Sequence, residues 1–129
     1  MNFAILPLLA ALASPVHAGE LAGVTMPDND TLGGQQLVLN GMALREKFFL
    51  DIYVGGLYLP AKSTDGAAVI ALDAPKKLHM SFIYSEVPAE KTIEAYREVW
   101  DQDPNYAAQK ANADKFCGWI ADLVAGDSM

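Results

Sequence analysis

The sequence predicts an α+β fold, an antiparallel sheet with helices packed on one face. Three observations carry that prediction. Residues 44–59 alternate apolar and polar side chains with the period of a half-buried strand, and residues 77–84 set Leu78, Met80 and Phe82 on one side. From Pro88 the apolar residues recur with helical spacing instead. Strands come first and the longer helices follow, which is the order of an α+β domain rather than of an alternating one.

The elements follow from local patterns. Gln36 to Leu39 is a short apolar strand, and Asn40-Gly41 after it is the dipeptide that type I′ hairpin turns prefer. Leu44 to Leu59 is expected to be the next strand, with Leu44, Phe48, Leu50, Ile52 and Val54 forming the buried parity. Gly55-Gly56 marks a bulge or a close backbone approach, and Pro60 ends the strand. Asp65 to Leu72 reads as a short helix, and Lys77 to Tyr84 as a strand with Leu78, Met80 and Phe82 on one side. Pro88 at the first helical position and Glu90 in the first turn open a helix whose buried stripe is Ile93, Tyr96, Val99 and Trp100. Asp101 to Asn105, with Pro104, breaks it. A second helix is expected from Tyr106 to Val124, burying Phe116, Ile120, Leu123 and Val124, with Gly126 as its C-cap.

Composition excludes several functions. The 129 residues carry 9 Lys and Arg against 16 Asp and Glu, a net charge of −7. That balance argues against nucleic acid as a partner, because such binding runs on phosphate neutralisation. The single cysteine, Cys117, rules out an internal disulfide, a Cys-x-x-Cys redox pair and a structural zinc site, and is expected to be a buried, inert thiol. Two histidines are too few for a His-rich metal centre, and His79 is expected to be a half-buried strand residue. Asp28-Asn29-Asp30 fails as a calcium loop because the fifth and twelfth loop positions fall on Leu32 and Leu39; an exposed turn is expected there. Lys76-Lys77 reads as a solvated strand entry. Glycine-rich phosphate loops, zinc-protease motifs and nucleophile elbows are missing, so no cofactor and no metal is expected.

The first eighteen residues read as a secretory signal peptide. Phe3 to Ala13 is an apolar run, and Val16 and Ala18 are the small residues that precede a cleavage point before Gly19. The run is too short for a membrane span, which needs ~20 apolar residues. The n-region has no Lys or Arg beyond the amino terminus. The residue directly after the cleavage point is Gly19 and not a cysteine, so no stable membrane anchor is expected after cleavage. A periplasmic or secreted protein of residues 19–129 is expected.

The segment from Leu39 to Pro60 resembles the chalcone isomerase-like family, in particular its small exported bacterial members. The matching features are the Asn40-Gly41 pair, Gly41-x-x-Leu44-Arg45, the aromatic pair Phe48-Phe49, and Tyr53-Val54-x-Gly56-Leu57-Tyr58-Leu59-Pro60. The run from Arg45 to Pro60 is the specific part; looser similarity, through Ala89 to Lys91, covers roughly residues 24 to 129. The resemblance implies an open-faced β-sandwich with an apolar cleft between sheet and helices. Relatives that it resembles continue with further strands and another helix, so the domain is expected to be C-terminally incomplete.

The resemblance also assigns residues. Arg45 lines up with the arginine that faces the substrate in true isomerases and holds the ligand carboxylate in the related plant fatty-acid-binding proteins. Tyr53 matches the tyrosine that assists that arginine in the fatty-acid binders, where the isomerases have threonine. A tyrosine and an asparagine of the isomerase site fall on Pro88 and Ala95, neither of which donates a side-chain hydrogen bond. Three functions follow: a non-catalytic binder of a small apolar carboxylate such as a fatty acid, an isomerase acting on an enone or flavonoid-like substrate, or a structural protein without a small-molecule site. Arg45 and Tyr53 share strand parity, but eight residues of straight strand span ~26 Å. They converge only if the chain bends or turns between Glu46 and Leu50, as a hairpin or a bulge allows. Otherwise Arg45 is an exposed strand residue paired with Glu46 or Asp51, and Tyr53 packs under a helix. The export reading predicts a mature N-terminus at Gly19, measured as the intact mass of the secreted protein; a retained Met1 in a cytoplasmic protein would contradict it.

Overall fold

The computed structural model describes residues 18–129, so the segment read as a signal peptide lies, except for Ala18, outside the described residues. Two short hairpin strands, β1 (Ala18–Leu21) and β2 (Val24–Pro27), come first. A four-stranded antiparallel sheet follows, built from β3 (Asn29–Leu32), β4 (Gln35–Lys47), β5 (Leu50–Leu59) and β6 (Lys77–Phe82) in that spatial order. Helix α1 (Gly66–Ala71) connects β5 to β6. The chain continues through β7 (Glu86–Val87), α2 (Ala89–Trp100), α3 (Tyr106–Cys117) and β8 (Leu123–Val124), with β8 paired to β7. The α+β class and the antiparallel sheet are as expected.

The expected strand over Leu44 to Leu59 is two strands. The reversal occurs at Phe48-Phe49, whose φ angles of 51° and 65° are left-handed, as a two-residue type I′ turn requires. Asn40-Gly41 is not a turn. It lies inside β4, Gly41 keeps an ordinary φ, and the register passes from Leu39 opposite Tyr58 to Gly41 opposite Leu57. Asn40 is the extra residue of that bulge, and its side-chain oxygen accepts the Ser63 amide at 2.7 Å. The chain reverses between Glu46 and Leu50, and the tip then projects beyond the sheet. Phe48 and Leu50 are therefore exposed rather than buried.

The sheet has two working faces. On one, Val54 and Tyr58 of β5 join Leu37 and Leu39 of β4 and Met26 of β2 in a buried cluster. Tyr58 donates its hydroxyl to the Pro27 carbonyl at 2.9 Å. Gly56 lies between Val54 and Tyr58 on this face, and a Cβ there would collide with the Met26 thioether. Gly55-Gly56 thus marks a close approach by a side chain, in unbroken ladder, and not a bulge. On the other face Met80 and Phe82 of β6 pack with Leu123, Ile52 and Tyr53. Leu78, on the same side, remains 59% exposed.

Asp65 caps α1 by accepting the Ala68 amide at 3.0 Å, as the expected helix start implies. Pro88 is the N-cap of α2 rather than its first residue. Of the expected stripe on α2, Ile93, Tyr96 and Trp100 are half-buried, and Val99 is 66% exposed. Helix α3 stops at Cys117, seven residues before the expected end at Val124, and Cys117 is buried. Leu123 gains its burial in β8 instead, beside Met80 and Phe82. Gly126, with φ 97°, is a turn residue and not a helix cap. Beyond it the chain runs antiparallel along β6, where Phe82 donates to the Asp127 carbonyl and Met80 and Met129 exchange two backbone hydrogen bonds, each at 2.9 Å.

Neither lysine at the entry to β6 is merely solvated. Lys76 donates to the Val69, Ile70 and Leu72 carbonyls at the end of α1. Lys77 pairs with Asp30 at 2.5 Å, so Asp30 is part of β3 and of an ion pair rather than of an exposed turn. β3 and β6 are the outer strands, about 14 Å apart across a flat sheet at ~4.8 Å per strand. Lysine and aspartate meet over that separation because the sheet curls. The Lys77 hydrogen bond, and after it the Thr31 amide, hold the Asp30 carboxyl below its ordinary value. A carboxyl with a lowered folded-state pKa contributes stability that is whole above the unfolded value and is lost as pH falls through the folded one. Asp30→Asn is expected to cost under about 1 kcal/mol at pH 7, as a partly exposed pair should. The difference between variant and parent should begin to shrink below about pH 4 and disappear as pH falls through the lowered folded-state value, as thermal unfolding at a series of pH values would measure; a pH-independent difference would contradict the ion-pair account.

Candidate functional site

Counting back from the two-residue turn, Lys47 opposes Leu50 and Glu46 opposes Asp51. A regular ladder would next set Arg45 against Ile52. Instead Arg45 opposes Tyr53, because Ile52 is an extra residue that the pairing with β4 skips. This bulge is fastened from outside: the Ile52 carbonyl accepts both the Ile83 amide at 3.0 Å and the Tyr84 amide at 3.2 Å. Residues that face each other across an antiparallel pair project from the same side of the sheet. Tyr53 in turn opposes Phe82 of β6, and their rings lie 5.3 Å apart. Arg45, Tyr53 and Phe82 therefore form a row across three strands. The ~26 Å separation of a straight strand disappears, by the turn between Glu46 and Leu50 that convergence demanded.

Helix α2 stands over this row. Between them is a cleft of about 700 Å³, floored by Ile52, Tyr53, Met80 and Phe82 and roofed by Pro88, Thr92, Ala95, Tyr96 and Val99. Its size and apolar lining are those of a small-molecule site. The exposure of Val99 is exposure to this cleft. Helix α2 is held in place by α3 and the segment after it. Tyr96 stacks on Trp100 at 5.3 Å and meets Phe116 of α3 edge-on at 5.2 Å. Arg97 reaches Asp114 at 3.4 Å, and the Ala89 amide donates to Asp122 at 2.8 Å. The helix is thus anchored without filling the space beneath it.

The polar groups are few. Arg45 is exposed at the mouth and makes no hydrogen bond or ion pair among the described residues, so it is not spent on Glu46 or Asp51. Glu46 and Asp51 oppose each other on the other side of the hairpin. Lys47 stands beside the mouth with its ammonium 5.7 Å from the Phe48 ring centre. Lys91 also lines the cleft but pairs with Glu94 at 2.8 Å, and Glu86 and Glu98 complete the rim. Inside, burial and then the neighbouring Tyr53 push the Tyr96 hydroxyl pKa up. Thr92 Oγ1 is buried without a hydrogen-bond partner among the described residues.

Sequence reasoning singled out Arg45 and Tyr53, which the structure sets side by side at the cleft, and gave no sign of Thr92, Tyr84 and Lys91, which also line it. Thr92 and Tyr96 are four apart and therefore share one helix face; that face points into the cleft, whereas the apolar stripe alone suggested packing. A family model described as chalcone isomerase-like matches residues 18–129. No curated protein and no solved structure matches the chain.

Proposed function

The chain belongs to the chalcone isomerase-like family, and from that premise we propose that it is a non-catalytic binder of a small apolar carboxylate, such as a fatty acid, in the cell envelope. One observation carries the reading: an unpaired arginine stands in register with a tyrosine at the mouth of an apolar cleft. The guanidinium offers a planar fork that matches a carboxylate with two parallel hydrogen bonds. Tyr53 supplies a hydroxyl from the neighbouring strand, and the alkyl chain runs inward over Met80 and Phe82. The export signal read from the first eighteen residues supports the periplasmic or secreted location.

Isomerase chemistry finds less support. Cyclisation of an enone needs hydrogen-bond donors where enolate charge develops. Pro88 and Ala95 both line the cleft; the family resemblance sets them where the isomerases carry their tyrosine and asparagine, and neither side chain donates. Cyclisation of a chalcone is expected to stay near the uncatalysed rate, followed by loss of the enone absorbance. Robust turnover that Arg45→Ala abolishes would overturn the binding reading.

Titration with a medium-chain fatty acid tests the site itself. A charge-assisted hydrogen bond contributes ~1.5–3 kcal/mol, and an arginine this exposed belongs at the lower end. Arg45→Ala is therefore expected to weaken binding about 10-fold or more. Tyr53→Phe keeps the ring against Phe82 and should cost less, ~0.5–1.5 kcal/mol. Wild-type affinity in Arg45→Ala, or a wild type that binds nothing, would refute the proposal.

A further inference from the structure

The tip of the β4–β5 hairpin carries the wrong residues for its geometry. Both central positions of a type I′ turn need left-handed φ, which asparagine and glycine tolerate and bulky side chains avoid. Here they are Phe48 and Phe49. Burial does not compensate, since Phe48 is 82% exposed, Phe49 101% and Leu50 46%. Neither packing among the described residues nor turn chemistry accounts for two exposed aromatic rings on a strained turn. Strain of this kind, coupled to exposed apolar surface, points to a contact outside the chain.

We propose that this tip docks into the interfacial zone of a lipid bilayer and brings the mouth of the cleft to the membrane surface. Three features favour a bilayer over a protein partner. A two-residue turn is too narrow to bury the ~1,000 Å² that a stable protein interface needs. Aromatic and leucine side chains beside a lysine suit the boundary between headgroups and acyl chains, where the rings enter and the ammonium stays among the phosphates. Arg45 and Lys47, directly behind the tip, line the cleft, so the immersed surface and the cleft mouth are continuous.

The charges near the tip cancel, Arg45 and Lys47 against Glu46 and Asp51, in a chain whose net charge is −7. Attachment is therefore apolar in origin. It is expected on zwitterionic phosphatidylcholine vesicles, with little dependence on salt, and weaker on anionic ones. The proposal goes beyond the ligand reading and stands or falls without it.

Flotation of the full chain with phosphatidylcholine vesicles, wild type against F48N/F49G, decides it. The substitution installs the residues that the turn prefers, so its melting temperature should equal or exceed that of the wild type. Flotation should fall at least about 10-fold, because two apolar side chains no longer leave water. The single substitution Phe49→Ser leaves Phe48 in place and should lose flotation in part. Equal flotation of wild type and double variant, or a wild type that does not float, would overturn the proposal. Self-association that the double variant abolishes, without vesicle binding, would overturn it in favour of a second copy of this chain. Fatty-acid titration of F48N/F49G should match the wild type, which separates failure of the tip from failure of the cleft.

Discussion

The extra residue at Ile52 is the constraint on which the arrangement depends. Side chains alternate with period two, so one inserted residue moves everything beyond it to the opposite face. Between the turn and Ile52 the hairpin pairs regularly; after Ile52, Tyr53 opposes Arg45 and Val54 opposes Leu44. Without the insertion Tyr53 would leave Arg45 and Phe82 for the other side of the sheet. Val54 would leave the buried cluster around Met26 for the cleft. The two amides that converge on the Ile52 carbonyl, from Ile83 and Tyr84, keep the bulge in place. The same contact ties the end of β6 to the cleft wall, since Tyr84 lines the cleft.

The two faces so defined differ in what they do. The face bearing Val54, Gly56 and Tyr58 is closed by β1 and β2, with Met26 seated against Gly56, and it supplies much of the apolar burial. The face bearing Tyr53, Met80 and Phe82 is closed along one side by β8 and the last residues of the chain. Helix α2 bridges the rest without descending onto it, because its aromatic side chains are engaged by α3. An apolar floor, a helix propped above it and a guanidinium unpaired among the described residues are what the proposal of an amphipathic ligand rests on.

Much of this was legible in the residues, and the failures have physical causes. Alternation revealed the sheet and Asp65 the short helix, whereas a bend or turn between Glu46 and Leu50 entered only as the condition on which Arg45 and Tyr53 could converge. The turn itself was hidden, since Phe48-Phe49 carries none of the chemistry that marks a type I′ reversal, while Asn40-Gly41 carries all of it and forms a bulge. In that bulge Asn40 serves Ser63, a partner 23 residues away that no local pattern reveals. The bulge at Ile52 was equally silent, because an isoleucine in a strand looks the same whether the ladder includes it or skips it. Beyond Cys117 the apolar residues fit a helical period, yet Leu123 found a better partner in the side chains of β6. Tertiary burial overrode local pattern there.

A double-mutant cycle for fatty-acid binding, combining Arg45→Ala with Tyr53→Phe, tests the central claim most directly. Residues that share one ligand group show coupling of about 0.5–3 kcal/mol, whereas independent sites are additive within about 0.5 kcal/mol. The account predicts clear coupling, because the bulge at Ile52 sets both side chains in one row before one carboxylate. Additive effects would mean that the register brings the two residues together without making them one site.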